Sequence, residues 1–279
     1  MENGFIDKVY ATVEKKEKMI DRKFTSYAIR AMMAGIFLTI VYTFCMQIVT
    51  DFSGTEVAPF GKMLMSYLFG IGLLFIIYFG AELFTSNTMY FSVGTTHKKS
   101  RFSKAMKVLV FCWIFNLVGA AFCAFLMVNT GLFTAVDGAY PNDALYTLAA
   151  KKATLSSSEI FFRGILANFV VNVVMFISIV VKDDVAKLLI VPLGLAPFVY
   201  LGFEHSIANM GVFCMTWLTP DAAATALYHE MPFTNIGALN NLLWSTLGNI
   251  VGGGVMVGGY FAFLNKHKIK EEQEKKAIE

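Results

Sequence analysis

The sequence predicts an all-α integral membrane protein with six transmembrane segments, arranged as an inverted repeat of three plus three, in which the second and fifth helices are broken. Three observations predict it. Of 279 residues, 56% are hydrophobic and only 15% are charged, against roughly 25% charged in an average soluble domain, and the mean hydropathy is +0.59. Apolar runs recur along the chain at lengths suited to crossing a bilayer. Two of these runs are too long for one straight helix and carry polar residues at their centres.

The first 27 residues are charged and mixed rather than a short basic region followed by an apolar one, so they do not read as a cleavable signal. Phe5, Ile6, Val9, Tyr10 and Val13 recur at helical spacing opposite Lys8, Glu14 and Lys15. That pattern predicts an amphipathic helix lying on the membrane surface, with an ordinary solvated arm as the equally weighted alternative. The expected division is residues 1–27 as an N-terminal cytoplasmic helix, 28–265 as the transmembrane domain and 266–279 as a charged cytoplasmic tail.

About 20 apolar residues are needed to cross roughly 30 Å of hydrocarbon. Four spans are simple: Ala28 to Val49, Val108 to Val128, Ile160 to Val181 and Leu242 to Phe263. The runs from Met63 to Thr96 and from Leu188 to Pro220 are each about one and a half crossings long. The first is interrupted by GAELFTSN at Gly80 to Asn87 and the second by GFEHSIAN at Gly202 to Asn209, with Pro192 and Pro197 disturbing the second further. Irregular backbone at membrane depth is tolerated only where it is buried in protein or lines a cavity, so two breaks predict a pore or a binding site.

The loops orient the chain. With six crossings, 19 of the 23 Lys and Arg residues fall on the side of the termini, and only Lys62, Lys151, Lys152 and Arg163 on the other. This bias places both termini in the cytoplasm. The halves also repeat. Arg30 followed by Ala34-Gly35 parallels Arg163 followed by Ala167-Asn168; Gly80-x-Glu82-x-x-x-x-Asn87 parallels Gly202-x-Glu204-x-x-x-x-Asn209; Asn116-Leu-Val-Gly119 parallels Asn249-Ile-Val-Gly252. A repeat of three crossings must be inverted, and such folds put their site near the midplane between discontinuous helices.

These residues carry a family resemblance. GFEHSIANM, its GAELFTSN counterpart, ILAN at Ile165 to Asn168 and NIVGGG at Asn249 to Gly254 resemble the formate/nitrite transporter family of pentameric formate, nitrite and hydrosulfide channels, over nearly the whole stretch from Tyr27 to Phe263. The resemblance implies an aquaporin-like fold, a homopentamer and one pore through each protomer, in a bacterial plasma membrane. It implies that the pore histidine is His205, that Thr85 is its partner, that Asn168 and Asn209 order the region, and that Lys152 stands at the external vestibule. It also implies apolar constrictions at Phe69 and Phe198 on the outer side and at Leu73, Leu83 and Ala208 toward the cytoplasm. Arg163, where an apolar residue is expected, and the adjacent Lys151 depart from the family pattern and make the outer mouth more cationic.

Chemistry points the same way. A bare anion entering a dry constriction loses several kcal/mol of hydration even after relaxation. Protonating a carboxylic acid of pKa about 3.7 at pH 7 costs only about 4.5 kcal/mol. A cationic vestibule can gather the anion, and an imidazole at the constriction can supply a proton or a hydrogen bond where the charge is most costly. Glu82 and Glu204 read as structural, accepting hydrogen bonds from loop N–H groups, because a carboxylate facing the path would repel an anion. Thr85 and Ser86 could instead cap the following half-helix, and the glycines from Gly248 to Gly259 read as a helix-packing surface.

Cys45, Cys112, Cys123 and Cys214 lie in apolar runs and read as small core residues, while His97, His229 and His267 have no ligand spacing. No enzyme motif, metal site, cofactor or nucleic-acid partner is read. The expected function is a passive or proton-coupled channel for small monovalent anions, formate first. Nitrite, hydrosulfide, lactate and acetate are the alternatives within the family. A neutral-solute pore of the ammonia or glycerol type is the competitor outside it, and the cationic outer mouth argues against ammonium.

Overall fold

A computed structural model describes residues 2–136 and 138–268. The helices are α1 (Glu2–Arg22), α2 (Phe24–Phe52), α3 (Ala58–Leu68), α4 (Gly70–Phe79), α5 (Phe84–Thr96), α6 (Phe102–Val128), α7 (Asp143–Thr154), α8 (Ser157–Val180), α9 (Asp184–Tyr200), α10 (Ser206–Leu218), α11 (Pro220–Thr225), α12 (Asn235–Asn249) and α13 (Gly259–Leu264). A π-helical stretch, Ile250–Gly258, joins the last two, and a two-stranded hairpin pairs Leu227 with Pro232 and Tyr228 with Met231. Five continuous helical stretches are long and apolar enough to cross a membrane: Phe24–Phe52, Ala58–Phe79, Phe102–Val128, Ser157–Val180 and Asn235–Leu264. Ser206–Leu218 is a shorter apolar helix.

Two helices stop where the sequence carries its polar interruptions. α4 ends at Phe79 with Gly80 at φ 64°, and the chain turns again at Gly202, φ 73°, two residues after α9. Left-handed backbone of this kind strains any residue with a Cβ, which is why glycine stands at both corners. Pro192 and Pro197 lie inside α9 without ending it. α4 packs closely beside the first of them, with Gly70 so near Pro192 that a Cβ there would lie 2.3 Å from its Cα.

Neighbouring crossings approach backbone to backbone. A Cβ at Gly119 would lie 2.0 Å from the Met32 carbonyl, and one at Gly252 would lie 2.1 Å from that of Ile165, so α6 locks onto α2 and the π stretch onto α8. The last crossing is therefore not the plain helix that the sequence suggests. Its π segment begins beside Asn249, whose carbonyl accepts from Asn168 Nδ2 at 2.7 Å, and π insertions of this kind concentrate at functional sites.

The N-terminal helix differs from expectation in what it covers. Phe5, Ile6, Val9 and Val13 are buried, and the Phe5 ring packs against Phe176 at 4.7 Å and Phe261 at 4.6 Å. Its apolar face is thus taken up by the ends of the bundle helices, and no face of that width remains for the bilayer. Lys8 Nζ donates to the Ile179 carbonyl at 2.9 Å at the same junction. The charged tail expected at 266–279 lies mostly outside the described residues.

Candidate functional site

The loop after α4 and the loop after α9 enter the middle of the bundle, and their backbone groups are satisfied by the same set of partners. Glu82 N–H donates to the Arg30 carbonyl at 3.0 Å, and Glu204 N–H to the Arg163 carbonyl at 3.3 Å. Asn116 Nδ2 donates to the carbonyls of Ala31 (2.7 Å) and Glu82 (2.9 Å), while its Oδ1 accepts from Phe84 N–H (3.0 Å). Asn249 Nδ2 donates to Gly164 (2.8 Å) and Glu204 (2.9 Å), and its Oδ1 accepts from Ser206 N–H (2.9 Å). One amide side chain thus pairs three loop or helix groups in each half, as buried backbone at membrane depth calls for.

The glutamates behave differently from expectation. Their carboxylates hold lysines and asparagine amides rather than loop N–H groups. Lys152 Nζ meets Glu204 Oε1 at 2.9 Å and Oε2 at 3.0 Å, and Asn209 (2.6 Å) and Asn241 (3.1 Å) donate to Oε2 as well. Glu82 Oε2 accepts from Lys16 Nζ and, at 3.3 Å, from Asn87 Nδ2. All four charged residues are buried. A buried charge is tolerable only when paired in this way. Lys152 therefore reaches the outer cavity as half of a neutral pair, 3% exposed, and not as a free charge at its mouth.

His205 caps α10, its Nδ1 accepting from Ala208 N–H at 3.1 Å, and its Nε2 lies 2.9 Å from Thr85 Oγ1. A nitrogen that accepts carries no proton, so in the neutral ring Nε2 bears the hydrogen and points it at Thr85; the tautomer is assigned from these partners. Thr85 is positioned from behind. Its carbonyl accepts from Asn168 Nδ2 and Asn172 Nδ2, each at 3.1 Å. Neither Thr85 nor Ser86 caps α5 with its side chain.

Three spaces line up through this region. An outer cavity of about 320 Å³ is lined by Lys62, Lys151, Lys152 and Arg163 together with Tyr42, Phe69, Phe198, Ala208 and His205. Below it is a chamber of about 10 Å³ walled by Leu38, Phe69, Leu73, Leu83, Val171, Leu195, Phe198 and His205. An inner cavity of about 250 Å³ follows, lined in part by Lys15, Lys16, Arg30, Leu83 and Ser86. The Phe69 and Phe198 rings meet edge to face at 5.8 Å, closing the outer side of the chamber. Of the sequence-derived constriction residues, Phe69, Phe198, Leu73 and Leu83 come together here, whereas Ala208 lines the outer cavity and not the chamber. Asn168 donates to the Thr85 carbonyl and Asn209 to Glu204; neither lines the chamber, and Asn209 lines the outer cavity.

Sequence reasoning missed Leu38, Val171 and Leu195 in the chamber wall, and Lys16 and Asn241 behind the glutamates. Lys16 had a signal. Ile6, Val9, Val13, Lys16 and Ile20 follow one stripe of α1, and a lysine within an otherwise buried apolar stripe implies a buried acid opposite.

Apolar helices of bilayer length, a narrow path between two cavities and buried charges held in pairs define a membrane channel or transporter. The chain belongs to the formate/nitrite transporter family, whose model matches residues 3–263. It is 33% identical to the uncharacterized transporter YwcJ of Bacillus subtilis over 265 residues, covering 95% of this chain and 99% of that one. Formate channel FocA of Escherichia coli is 32% identical over 239 residues, 82% of each chain, and nitrite transporter NirC of the same organism is 32% identical over 201 residues, 71% and 70% of the two. Among solved structures, an FNT family ion channel superposes with a TM-score of 0.82 at 26% identity over 94% of this chain and 99% of the other. A pentameric formate channel with formate bound superposes with a TM-score of 0.71 over 86% and 96%, and at 24% identity it speaks to the fold. The family is one of transporters and channels, not enzymes.

Proposed function

We propose that the chain is a channel for small monovalent anions, formate first, in which the anion gathers in the cationic outer cavity and passes the chamber beside His205. The observation that carries this reading is the chamber itself. Seven of its eight lining residues are apolar, and its volume of about 10 Å³ is close to the space one water molecule needs. A solute of three heavy atoms needs more room than one water and passes only as the chamber dilates, while one of five or six must spread the Phe69–Phe198 contact further. Stripping hydration from such an anion costs several kcal/mol. The His205–Thr85 pair offers the chamber's polar contact at that point. Because Nδ1 is engaged by Ala208 N–H and Nε2–H points at Thr85 Oγ1, the anion takes its hydrogen bond either from the Thr85 hydroxyl or from Nε2–H turned away from Thr85, and a proton relay through the ring requires that the Ala208 contact first be released. Nitrite is the second reading, favoured by a match to the nitrite transporter at the same identity as to the formate channel.

The same proposal includes six crossings in an inverted repeat, with α4–α5 and α9–α10 as the broken helices; the matched hydrogen bonds of Asn116 and Asn249 support it. The loop charges support cytoplasmic termini in a bacterial plasma membrane, and the pentameric formate channel supports assembly as a homopentamer. The test is uptake by liposomes holding the purified protein, with formate, nitrite, hydrosulfide, acetate, lactate, ammonia and glycerol compared across imposed pH gradients. Formate and nitrite are expected to enter fastest and lactate slowest of the anions. Passage of glycerol or ammonia with no anion flux would overturn the reading.

A further inference from the structure

We propose that the cleft where α1 meets α2 holds the headgroup of an anionic phospholipid, whose acyl chain lies along the adjoining groove between α2 and α4. The cleft has a volume of about 590 Å³ and is lined by Lys15, Lys18 and Arg22 of α1, by Lys23 at the junction and by Arg30 of α2, with Glu14 as its one carboxylate. Lys15, Lys18 and Arg22 follow one another at steps of three and four, so they form one face of α1; Lys23, Ser26 and Arg30 form one face of α2 in the same way. Two cationic faces line one space. Glu14 pairs with Lys18, and Arg30 Nη1 donates to the Gly80 carbonyl at 2.7 Å, which leaves the cleft with a clear excess of positive charge. Like charges gathered in a concave site repel one another and attract an anion.

The choice of a lipid over a free phosphate comes from what continues the α2 face. After Ser26 and Arg30 the same three-and-four spacing gives Met33, Phe37, Ile40 and Phe44. Ile40 and Phe44 are exposed, and the half-buried Phe37 ring packs at 5.5 Å on Phe75 and 5.3 Å on Phe79, both exposed. From Arg30 to Phe44 the helix rises roughly 20 Å, more than the roughly 15 Å of hydrocarbon in one leaflet. Charge followed by a leaflet's length of aromatic and aliphatic groove is the order of parts in a phospholipid. Basic pockets beside membrane helices bind anionic headgroups for this reason, each Lys or Arg adding roughly fivefold to affinity. The cleft shares Lys15 and Arg30 with the inner cavity, whereas Lys18 and Arg22 line the cleft and not that cavity, and lipid binding there does not depend on which solute passes.

Detergent-purified full-length protein, examined by native mass spectrometry with phosphatidylglycerol, phosphatidylcholine or glycerol 3-phosphate added, tests this. Phosphatidylglycerol is expected to bind at least tenfold more tightly than phosphatidylcholine, in a salt-sensitive way, and to resist displacement by an equal concentration of glycerol 3-phosphate. Lys18→Gln with Arg22→Gln should weaken phosphatidylglycerol about thirtyfold and leave phosphatidylcholine unchanged, while Phe79→Ser should weaken both. The oligomer mass of each variant checks its assembly, and the salt dependence of the unaltered protein stands without any variant. Equal affinity for the two lipids, insensitivity to salt or to the double charge removal, or ready displacement by glycerol 3-phosphate would each overturn the proposal. So would efficient disulfide cross-linking of Ile40→Cys between protomers, because a second copy would then cover the groove.

Discussion

The loop from Gly80 to Leu83 and the loop from Gly202 to His205 are built alike and end differently. Each begins with a left-handed glycine, donates a glutamate N–H to an arginine carbonyl, is stitched by one asparagine of a later helix and buries its glutamate against a lysine. At the last position one loop has Leu83 where the other has His205, and two residues on the first half has Thr85 where the second has Ile207. The histidine of one half therefore meets the threonine of the other, at 2.9 Å. What the halves share keeps the backbone satisfied, and of the residues they do not share Leu83 and His205 wall the chamber. The duplicated residues are read as scaffold and the unmatched ones as chemistry.

The largest effect should come from breaking a shared feature. Lys152→Met strands Glu204 among buried groups, and removing one partner of a buried pair costs about 3–5 kcal/mol. Thermal unfolding of the purified protein in detergent should show a large loss, and Lys152→Met with Glu204→Gln should recover much of it. Lys16→Met should cost less, because Lys16 sits on a terminal helix that can lift and let water reach Glu82, whereas α7 is enclosed between α2, α10 and α12. Equal losses in the two halves would show that the location of the lysine does not matter.

Next comes the unmatched position. His205→Leu makes the second loop end as the first does and removes a hydrogen bond to an anion, worth about 1.5–3 kcal/mol, so formate uptake should fall about ten- to a hundredfold with assembly unchanged. Thr85→Val should lower it only severalfold. Undiminished uptake by the leucine variant would remove His205 from the mechanism.

A third, smaller contrast lies in the outer cavity. The sequence places Lys152 at the external vestibule, with Lys151 and Arg163 making the mouth more cationic, but Lys152 is neutralised by Glu204. Lys62, Lys151 and Arg163 line the same cavity, the first two with their ammonium groups over the rings of Tyr200 and Tyr228 at 4.3 and 5.3 Å. Substituting any one by Gln should reduce initial uptake two- to fivefold at low salt and by little above the ionic strength at which the Debye length drops to a few Å. Salt-independent losses would mean that these residues act by packing.

How much of this was legible follows from the same division. Gly80, Glu82, Asn87 and their partners in the second half stand out because polar residues are costly inside apolar runs, and so does His205. Leu38, Val171 and Leu195 do not stand out, since in a helix apolar on every side nothing in the pattern separates a residue facing the path from one facing lipid. The partners of the glutamates were hidden by distance along the chain, Lys16 lying 66 residues from Glu82 and Asn241 37 residues from Glu204. The seating of α1 was misplaced because its apolar face fits a bilayer surface and a protein surface equally well.

The smallest effect tests that seating. Asp21, near the end of α1, accepts from Lys107 Nζ of α6 at 2.8 Å, with Lys104 3.5 Å away, and the Lys107 hydrogen bond holds its carboxyl below the usual range against the opposing effect of desolvation. A carboxyl depressed in the docked state stabilises docking above its ordinary pKa of about 3.9 and loses that contribution as pH falls through the depressed value. Hydrogen exchange of α1 amides at neutral pH should therefore be modestly faster in Asp21→Asn than in the unaltered protein. The two should converge once the pH is taken below the carboxylate range, because the protonated carboxyl then resembles the amide. The other carboxylates of α1 are the same in both proteins, so the difference between them isolates Asp21. Identical exchange at neutral pH would mean that the apolar contacts of Phe5, Ile6, Val9 and Val13 alone hold α1 in place, and the contact between Asp21 and α6 would then be an incidental surface pair.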